Sequence, residues 1–343
     1  MSTKIGYRDS RSSRLTAGKV LSNYGIFIAF IILFVVLSFL APGKFLTVLN
    51  ILNIAKQISI VGLLATALTL VLIMGEIDIS FAGLTTLCGI AVATWQGSAL
   101  IQGIEGKVGF TMPVPLAMFL TLLLGLAGGL IVGLIVTKVR VTALLVTLGA
   151  GAIYEGFALF WSKARAVTGL KDSFKIFGQG YSLGVPNLVW IFIVFVIIIT
   201  FIAKKTKFGR HVYAIGGNIQ AAYLSGVPVT RVRTIVFGIL GFTAALSGIL
   251  LTSRLNSATP EPQPTYMLDA IAACVIGGTS LAGGVGNPAR TVIGVLFLGV
   301  IYNGLTLLGV PVALQYIIKG AIIIGAIVLD SMKQRTEGGY VKE

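Results

Sequence analysis

The sequence predicts an all-α, polytopic membrane protein with about ten transmembrane helices, some of them broken or re-entrant at glycine-rich segments. Of its 343 residues, 56% are apolar and only 11% are charged, whereas roughly a quarter of the residues in a soluble domain are charged. The mean hydropathy is +0.98. Apolar runs recur along most of the chain, and a spanning helix needs about 20 such residues. This composition excludes a soluble enzyme and a disordered chain.

The apolar runs define ten predicted spans, separated by loops too short to form a soluble domain. The spans fall at 21–40, 57–74, 79–96, 113–137, 142–161, 184–203, 233–252, 267–285, 289–308 and 311–329. We therefore expect three regions. These are a basic N-terminal tail (1–21), a transmembrane domain (22–330) and a C-terminal tail (331–343).

The distribution of Lys and Arg predicts that both termini lie in the cytoplasm. With ten spans and an internal N-terminus, 17 of these residues fall in inside segments or at the inside ends of spans, and 7 fall in outside loops. Cytoplasmic loops of membrane proteins carry this excess of positive charge. The same bias accounts for the net charge of +15, so we predict no nucleic-acid partner. The longest inside connection is the loop 204–232.

Two carboxylates interrupt the apolar pattern after the second predicted span. Glu76 and Asp78 lie in the stretch 75–83, with Ser80 close behind them. A carboxylate within the membrane costs free energy unless it faces protein, water or an interface. One interpretation is a short turn in which Asp78 caps the next helix. The other places these residues on a substrate route, and the two interpretations are compatible.

A second interruption is rich in glycine. The stretch 269–288 begins with Asp269 and contains Gly277, Gly278, Thr279 and Ser280, with five glycines in all. Glycine costs about 1 kcal/mol relative to alanine in a helix interior. Irregular backbone at membrane depth occurs where it is buried in protein or lines a cavity. We expect this stretch to line the substrate route, and close helix packing through glycine is the alternative.

The inside loop 204–232 contains a predicted two-turn helix. Asn218 provides an N-cap, Gly226 occupies the C′ position and Pro228 prevents continuation. Such a short helix needs something to pack against. Its apolar face either rests on the ends of the protein's own spans or docks on a partner. That face comprises Ile219, Ala222 and Tyr223.

Three motifs together resemble those of ribose-type ABC sugar permeases. The stretch 75–80 (GEIDIS) resembles a Gly-Gly-Ile-Asp-Leu-Ser motif, and 212–226 is similar to the cytoplasmic loop of that family. The stretch 268–284 matches the family's most recognisable signature. The sequence departs from the pattern at Glu76, where the family usually has Gly, and at Phe81-Ala82, where it has Val-Gly.

The resemblance covers about residues 45–330 and implies the membrane subunit of a bacterial importer in the inner membrane. It implies a cytoplasmic ATP-binding subunit, an extracytoplasmic solute-binding protein, a second permease subunit, identical or different, and a sugar-like substrate. In agreement, the sequence has no Gly-x-x-x-x-Gly-Lys-[Ser/Thr] nucleotide loop. The resemblance also implies that the loop helix couples to the ATPase. The coupling residues are Asn218, Ala221, Ala222, Leu224 and Gly226.

Two other functions compete with this interpretation. An ion-gradient-driven secondary transporter would use Asp78, Glu155, Asp269 and Lys319 as its coupling groups. An intramembrane enzyme would need a His, Cys or Ser-base constellation, and no such pattern is present. We predict no catalytic residues, no metal site and no cofactor.

Overall fold

The computed structural model describes residues 17–97, 100–101, 112–261 and 264–337. Most of the predicted N-terminal tail and the end of the C-terminal tail lie outside these residues. The helix that contains the first span begins at Ala17, inside the predicted tail, and the last helix continues through Glu337, past the predicted end of the membrane domain.

The described chain is built almost entirely of helices. In chain order these are α1 (Ala17–Leu40), α2 (Val48–Ile73), α3 (Phe81–Trp95), α4 (Val114–Leu134) followed by a π-helical turn (Ile135–Val139), α5 (Ala143–Ser162), α6 (Asp172–Gln179), α7 (Asn187–Lys205), α8 (Lys207–Gly217), α9 (Ile219–Leu224), α10 (Val229–Leu255), α11 (Pro264–Ile276), α12 (Pro288–Leu307) and α13 (Val312–Glu337).

Among the described residues, six helices are long and apolar enough to cross a membrane, and four shorter apolar helices accompany them. The chain is thus an all-α, multi-pass membrane protein, as predicted. Each apolar helix coincides with one predicted span, but two boundaries were wrong. α2 begins at Val48 rather than near residue 57, and α11 ends at Ile276, well before residue 285.

The described chain has four two-residue strands, of which β1, β2 and β3 lie in loops predicted to be outside and β4 lies at the start of the span predicted at 184–203. β1 (Leu100–Ile101) pairs with β2 (Val167–Thr168), and β3 (Tyr181–Ser182) pairs with β4 (Val185–Pro186). An isolated bridge also joins Val167 to Ala258. Three loops that alternation of the spans assigns to one side of the membrane therefore meet at one end of the molecule.

The core is formed where α2, α3 and α10 pack together, with α4 against α10. Nearly all of α3 is buried. Glycine permits the closest approach between α4 and α10, because a Cβ on Gly129 would lie 2.3 Å from the carbonyl oxygen of Phe237. Small residues let helix backbones approach in this way within a membrane.

Candidate functional site

The first of two breaks in the helical backbone, residues 75–80, separates α2 from α3. Gly75 adopts φ +75°, which favours glycine. Within the break, the Ser80 N–H and the Ser80 hydroxyl both donate to Asp78 Oδ1 at 2.7 Å. Asp78 is 2% exposed. Its carboxylate thus holds the turn just before α3, but the N-cap residue of that helix is Ser80 and not Asp78 as predicted.

Glu76 forms an ion pair with Arg233 in the first turns of α10. Both side chains are largely buried. Among the described residues, Glu76 Oε2 and Arg233 Nε have no hydrogen-bond partner. A buried pair that lacks full hydrogen bonding adds little net stability, but removing one partner leaves an uncompensated charge. The pair therefore fixes the first break to the start of α10.

The second break, residues 277–287, separates α11 from α12. Three of its glycines have positive φ: Gly278, Gly283 and Gly284. Turn hydrogen bonds hold the loop, including one from the Ser280 N–H to the Val285 carbonyl at 2.9 Å. Thr279 is fully buried, and its hydroxyl has no hydrogen-bond partner in the described chain. The expected break at Gly277 and Gly278 is confirmed. Gly277, Thr279 and Ser280 are buried, whereas Gly278 and Val285 are exposed.

The two breaks contact each other. The Gly284 N–H donates to the carbonyl of Ile73, the last residue of α2, at 2.8 Å. A Cβ on Gly75 would lie 3.3 Å from the Ala282 carbonyl oxygen. Because the contacts involve backbone atoms, a shift in one break must displace the other.

The C-terminal end of α8 completes this junction. A Cβ on Gly216 would lie 1.7 Å from the Ile73 carbonyl oxygen and 2.6 Å from the Gly284 nitrogen. The Tyr213 hydroxyl also donates to the Gly286 carbonyl at 2.8 Å. We call this meeting of the two breaks with α8 the break junction. It connects the loop 204–232 directly to both interruptions of the membrane helices.

Asp269, predicted to lie on the same route, belongs to a different cluster. It is two turns before the second break on α11 and pairs with Lys319 of α13, whose Nζ lies 2.9 Å and 3.1 Å from the carboxylate oxygens. Lys319 Nζ also lies 4.0 Å from the ring centre of Tyr302. Both charges are mostly buried, so the pair joins α13 to α11 and α12.

The predicted loop helix is present as α9. Asn218 Oδ1 accepts hydrogen bonds from the N–H groups of Gln220 and Ala221, both at 2.9 Å, as an N-cap does. Gly226 follows the helix with φ +80°. The buried face is narrower than expected, because Ala222 is buried whereas Tyr223 is 71% exposed. Leu224 is 79% exposed.

Sequence reasoning missed three contributors to the site. Arg233, Tyr213 and Ile73 hold the breaks through contacts with residues far away in the chain. A charged residue at the edge of an apolar run was the available signal for Arg233. Of the four groups of the secondary-transporter alternative, Asp269 and Lys319 form one pair, Asp78 bonds to Ser80, and Glu155 packs beside Gly83 of α3. Among the described residues, no group of three potential metal ligands comes together.

Comparison with known proteins identifies a family over most of the chain. The family model described as "Branched-chain amino acid transport system / permease component" matches residues 50–327. No solved structure matches the chain.

Similar curated proteins are sugar permeases. The ribose import permease protein RbsC of Bacillus subtilis is 39% identical over 94% of this chain and 97% of its own length. RbsC of Escherichia coli K12 is 39% identical over 90% of this chain and 93% of its own. The L-arabinose transport system permease protein AraH of E. coli K12 is 33% identical over 95% of each chain.

Proposed function

We propose a function from the premise that this chain belongs to the family of branched-chain amino acid transport system permease components. It is the membrane-spanning permease subunit of an ABC importer and carries a sugar across the membrane. The observation that carries this proposal is the 39% identity to a ribose import permease over 94% of the chain. Ribose and arabinose, named by the relatives, are the substrates to test first.

The membrane arrangement we propose has ten spans with both termini in the cytoplasm of a bacterium, in the inner membrane. The six long and four shorter apolar helices supply the ten spans. Residues 22–330 form the transmembrane domain between the tails 1–21 and 331–343. The excess of Lys and Arg in the inside segments supports this orientation.

The energy for transport comes from a separate ATP-binding subunit, and a solute-binding protein delivers sugar at the outer face. A second permease subunit, identical or different, completes the membrane unit, because two ATPase sites require two docking positions. We place the ATPase contact on α9. Ala222 packs inward, Asn218 and Gly226 shape the two ends of the helix, and Ala221 and Leu224 face outward.

The break junction is proposed as the cytoplasmic gate of the substrate route. Glu76, Asp78 and Ser80 lie in one break, and Gly277, Gly278, Thr279 and Ser280 lie in the other. Because α8 touches both breaks and leads directly into α9, a displacement of α9 by the ATPase reaches the gate through backbone contacts. The ion pair between Glu76 and Arg233 supplies a second connection, through the start of α10.

Reconstituted uptake tests the proposed function. Proteoliposomes containing the permease and its ATPase should accumulate labelled ribose or arabinose when ATP is enclosed and the binding protein is outside. Uptake should persist when an ionophore collapses the ion gradient. Uptake by the permease alone, driven by an ion gradient, would instead favour the secondary transporter.

Replacing Leu224 with Asp should weaken ATPase docking. An exposed Leu that becomes buried in an interface contributes about 1.5–3 kcal/mol, so we expect binding of the ATPase to fall about ten- to a hundredfold. Copurification and binding titration with detergent-solubilised permease measure this loss. Leu224→Met keeps the apolar surface and should bind normally. Equal binding by both variants would remove α9 from the interface.

Single cysteines test the gate. In a background in which Cys88 and Cys274 are replaced by Ala, Thr279→Cys should react with a water-soluble thiol reagent in one nucleotide state and be protected in another. Thr66→Cys should remain unreactive in every state, since Thr66 is equally buried but lies within the continuous helix α2, away from both breaks. Protection of Thr279→Cys in every state would mean that the break serves packing alone.

A further inference from the structure

A small polar niche lies between the first half of α3 and the C-terminal end of α10. Its volume is about 20 Å³, which is enough for one water molecule or one hydroxyl group. Five hydroxyl-bearing residues contribute to its wall: Thr85, Thr86, Thr252, Ser257 and Thr259. The niche opens beside Leu255 and Thr259, which are exposed.

The hydroxyl of Thr252 distinguishes this niche from the other polar positions in the helices. Buried Thr side chains in helices usually donate to the carbonyl four residues earlier. Thr85, Thr86 and Thr243 do so here. Within the described chain, Thr252 makes no such hydrogen bond, although the residue is 3% exposed. Its donor is therefore available to a group that enters the niche.

Two parts of the niche wall are held by close contacts. Between the helices, a Cβ on Gly89 would lie 2.8 Å from Thr252 Oγ1, and a Cβ on Gly248 would lie 2.5 Å from the Thr85 carbonyl oxygen. In the loop after α10, Ala258 and Val167 exchange two backbone hydrogen bonds of 2.8 and 2.9 Å, which hold the segment that carries Ser257 and Thr259. The niche is thus preorganised, and preorganisation lowers the cost of binding.

We propose that this niche is an outer substrate subsite that receives one hydroxyl group of a sugar before the gate opens. The inference rests on the proposed function, because it assigns a contact to the same transported substrate. A hydroxyl group is both donor and acceptor, so it can accept from Thr252 and donate to Ser257 or Thr259. From this subsite, the first turns of α3 lead back to Ser80 in the first break.

The matched pair Thr252→Val and Thr243→Val tests the subsite. Both lie on α10 and both lose a hydroxyl, but the hydroxyl of Thr243 is used by its own helix. In proteoliposomes with the ATPase and saturating loaded binding protein, Thr252→Val should lower initial ribose or arabinose uptake about two- to tenfold, the effect of one hydrogen bond. Thr243→Val should match the wild type, and Thr252→Ser should restore uptake.

Monodeoxy analogues of the transported sugar identify the group that binds. The wild type should transport one analogue less well than the parent sugar, and Thr252→Val should not distinguish the two. Ser257→Cys, with Cys88 and Cys274 replaced by Ala, should be protected from a water-soluble thiol reagent by loaded binding protein.

Equal uptake by Thr252→Val and Thr243→Val, or labelling of Ser257→Cys without protection, would overturn the subsite while leaving the proposed function standing. If the wild type accumulates neither sugar with ATP, the proposed function fails and the subsite fails with it.

Discussion

Replacing Gly216 with Ala should abolish ATP-driven sugar uptake, whereas replacing the adjacent Gly217 with Ala should leave uptake close to the wild-type rate. The new Cβ at Gly216 would lie 1.7 Å from the Ile73 carbonyl oxygen and 2.6 Å from the Gly284 nitrogen. These two atoms are joined by a hydrogen bond, so neither can move alone. Gly217 has no atom within 4 Å of the equivalent position.

The pair of variants separates the steric effect from helix propensity. Alanine stabilises a helix by about 1 kcal/mol relative to glycine. Both substitutions lie at the end of α8 and should add this stabilisation equally. We would measure membrane insertion, ATP hydrolysis stimulated by loaded binding protein, and uptake. We expect Gly216→Ala to be inserted but to lose stimulated hydrolysis together with uptake. Normal uptake by Gly216→Ala would mean that the break junction does not transmit ATPase movement.

The sequence predicted the site best at positions where exposure of a residue to lipid would cost free energy. Glu76, Asp78 and the glycines of 277–284 could be identified as breaks because carboxylates and freed backbone groups cannot face lipid. The same argument does not identify the protein groups that form hydrogen bonds with these carboxylates and backbone atoms in place of water. The contact between Ile73 and Gly284 joins residues distant in the chain, and no local pattern distinguishes Ile73 from the apolar residues before it.

The start of α2 was predicted wrongly for the same reason, because it depends on a contact between residues distant in the chain. Asn50, Asn53, Lys56 and Gln57 interrupt the apolar pattern at the start of α2, so this stretch resembles a loop when taken alone. In the structure the side-chain amides of Asn50 and Asn303 exchange two hydrogen bonds, at 3.0 and 2.8 Å, and this pairing lets a polar residue lie within a helix interface. A single sequence cannot reveal the pairing, because each Asn, taken alone, could equally well lie in a loop and form hydrogen bonds with water.

The pair formed by Asp269 and Lys319 should give the second large effect. Lys319→Met removes the ammonium group that lies 2.9 Å from the carboxylate and leaves Asp269, whose side chain is 8% exposed, without its partner. Breaking a buried pair on one side costs about 3–5 kcal/mol. We therefore expect a marked fall in the thermal unfolding temperature of the purified permease, with loss of packing of α13 against α11.

The double variant Asp269→Asn/Lys319→Met decides whether the pair has a structural role or an ion-coupling role. With both charges removed, no uncompensated charge remains, so most of the lost stability should return. In a permease driven by an ATPase, sugar uptake should return with it, since neither group takes part in energy coupling. In a transporter driven by an ion gradient, the double variant would be folded and stable but inactive. Thermal unfolding and uptake measured on the same preparation distinguish these outcomes, and a stable, inactive double variant would contradict the structural role assigned to the pair.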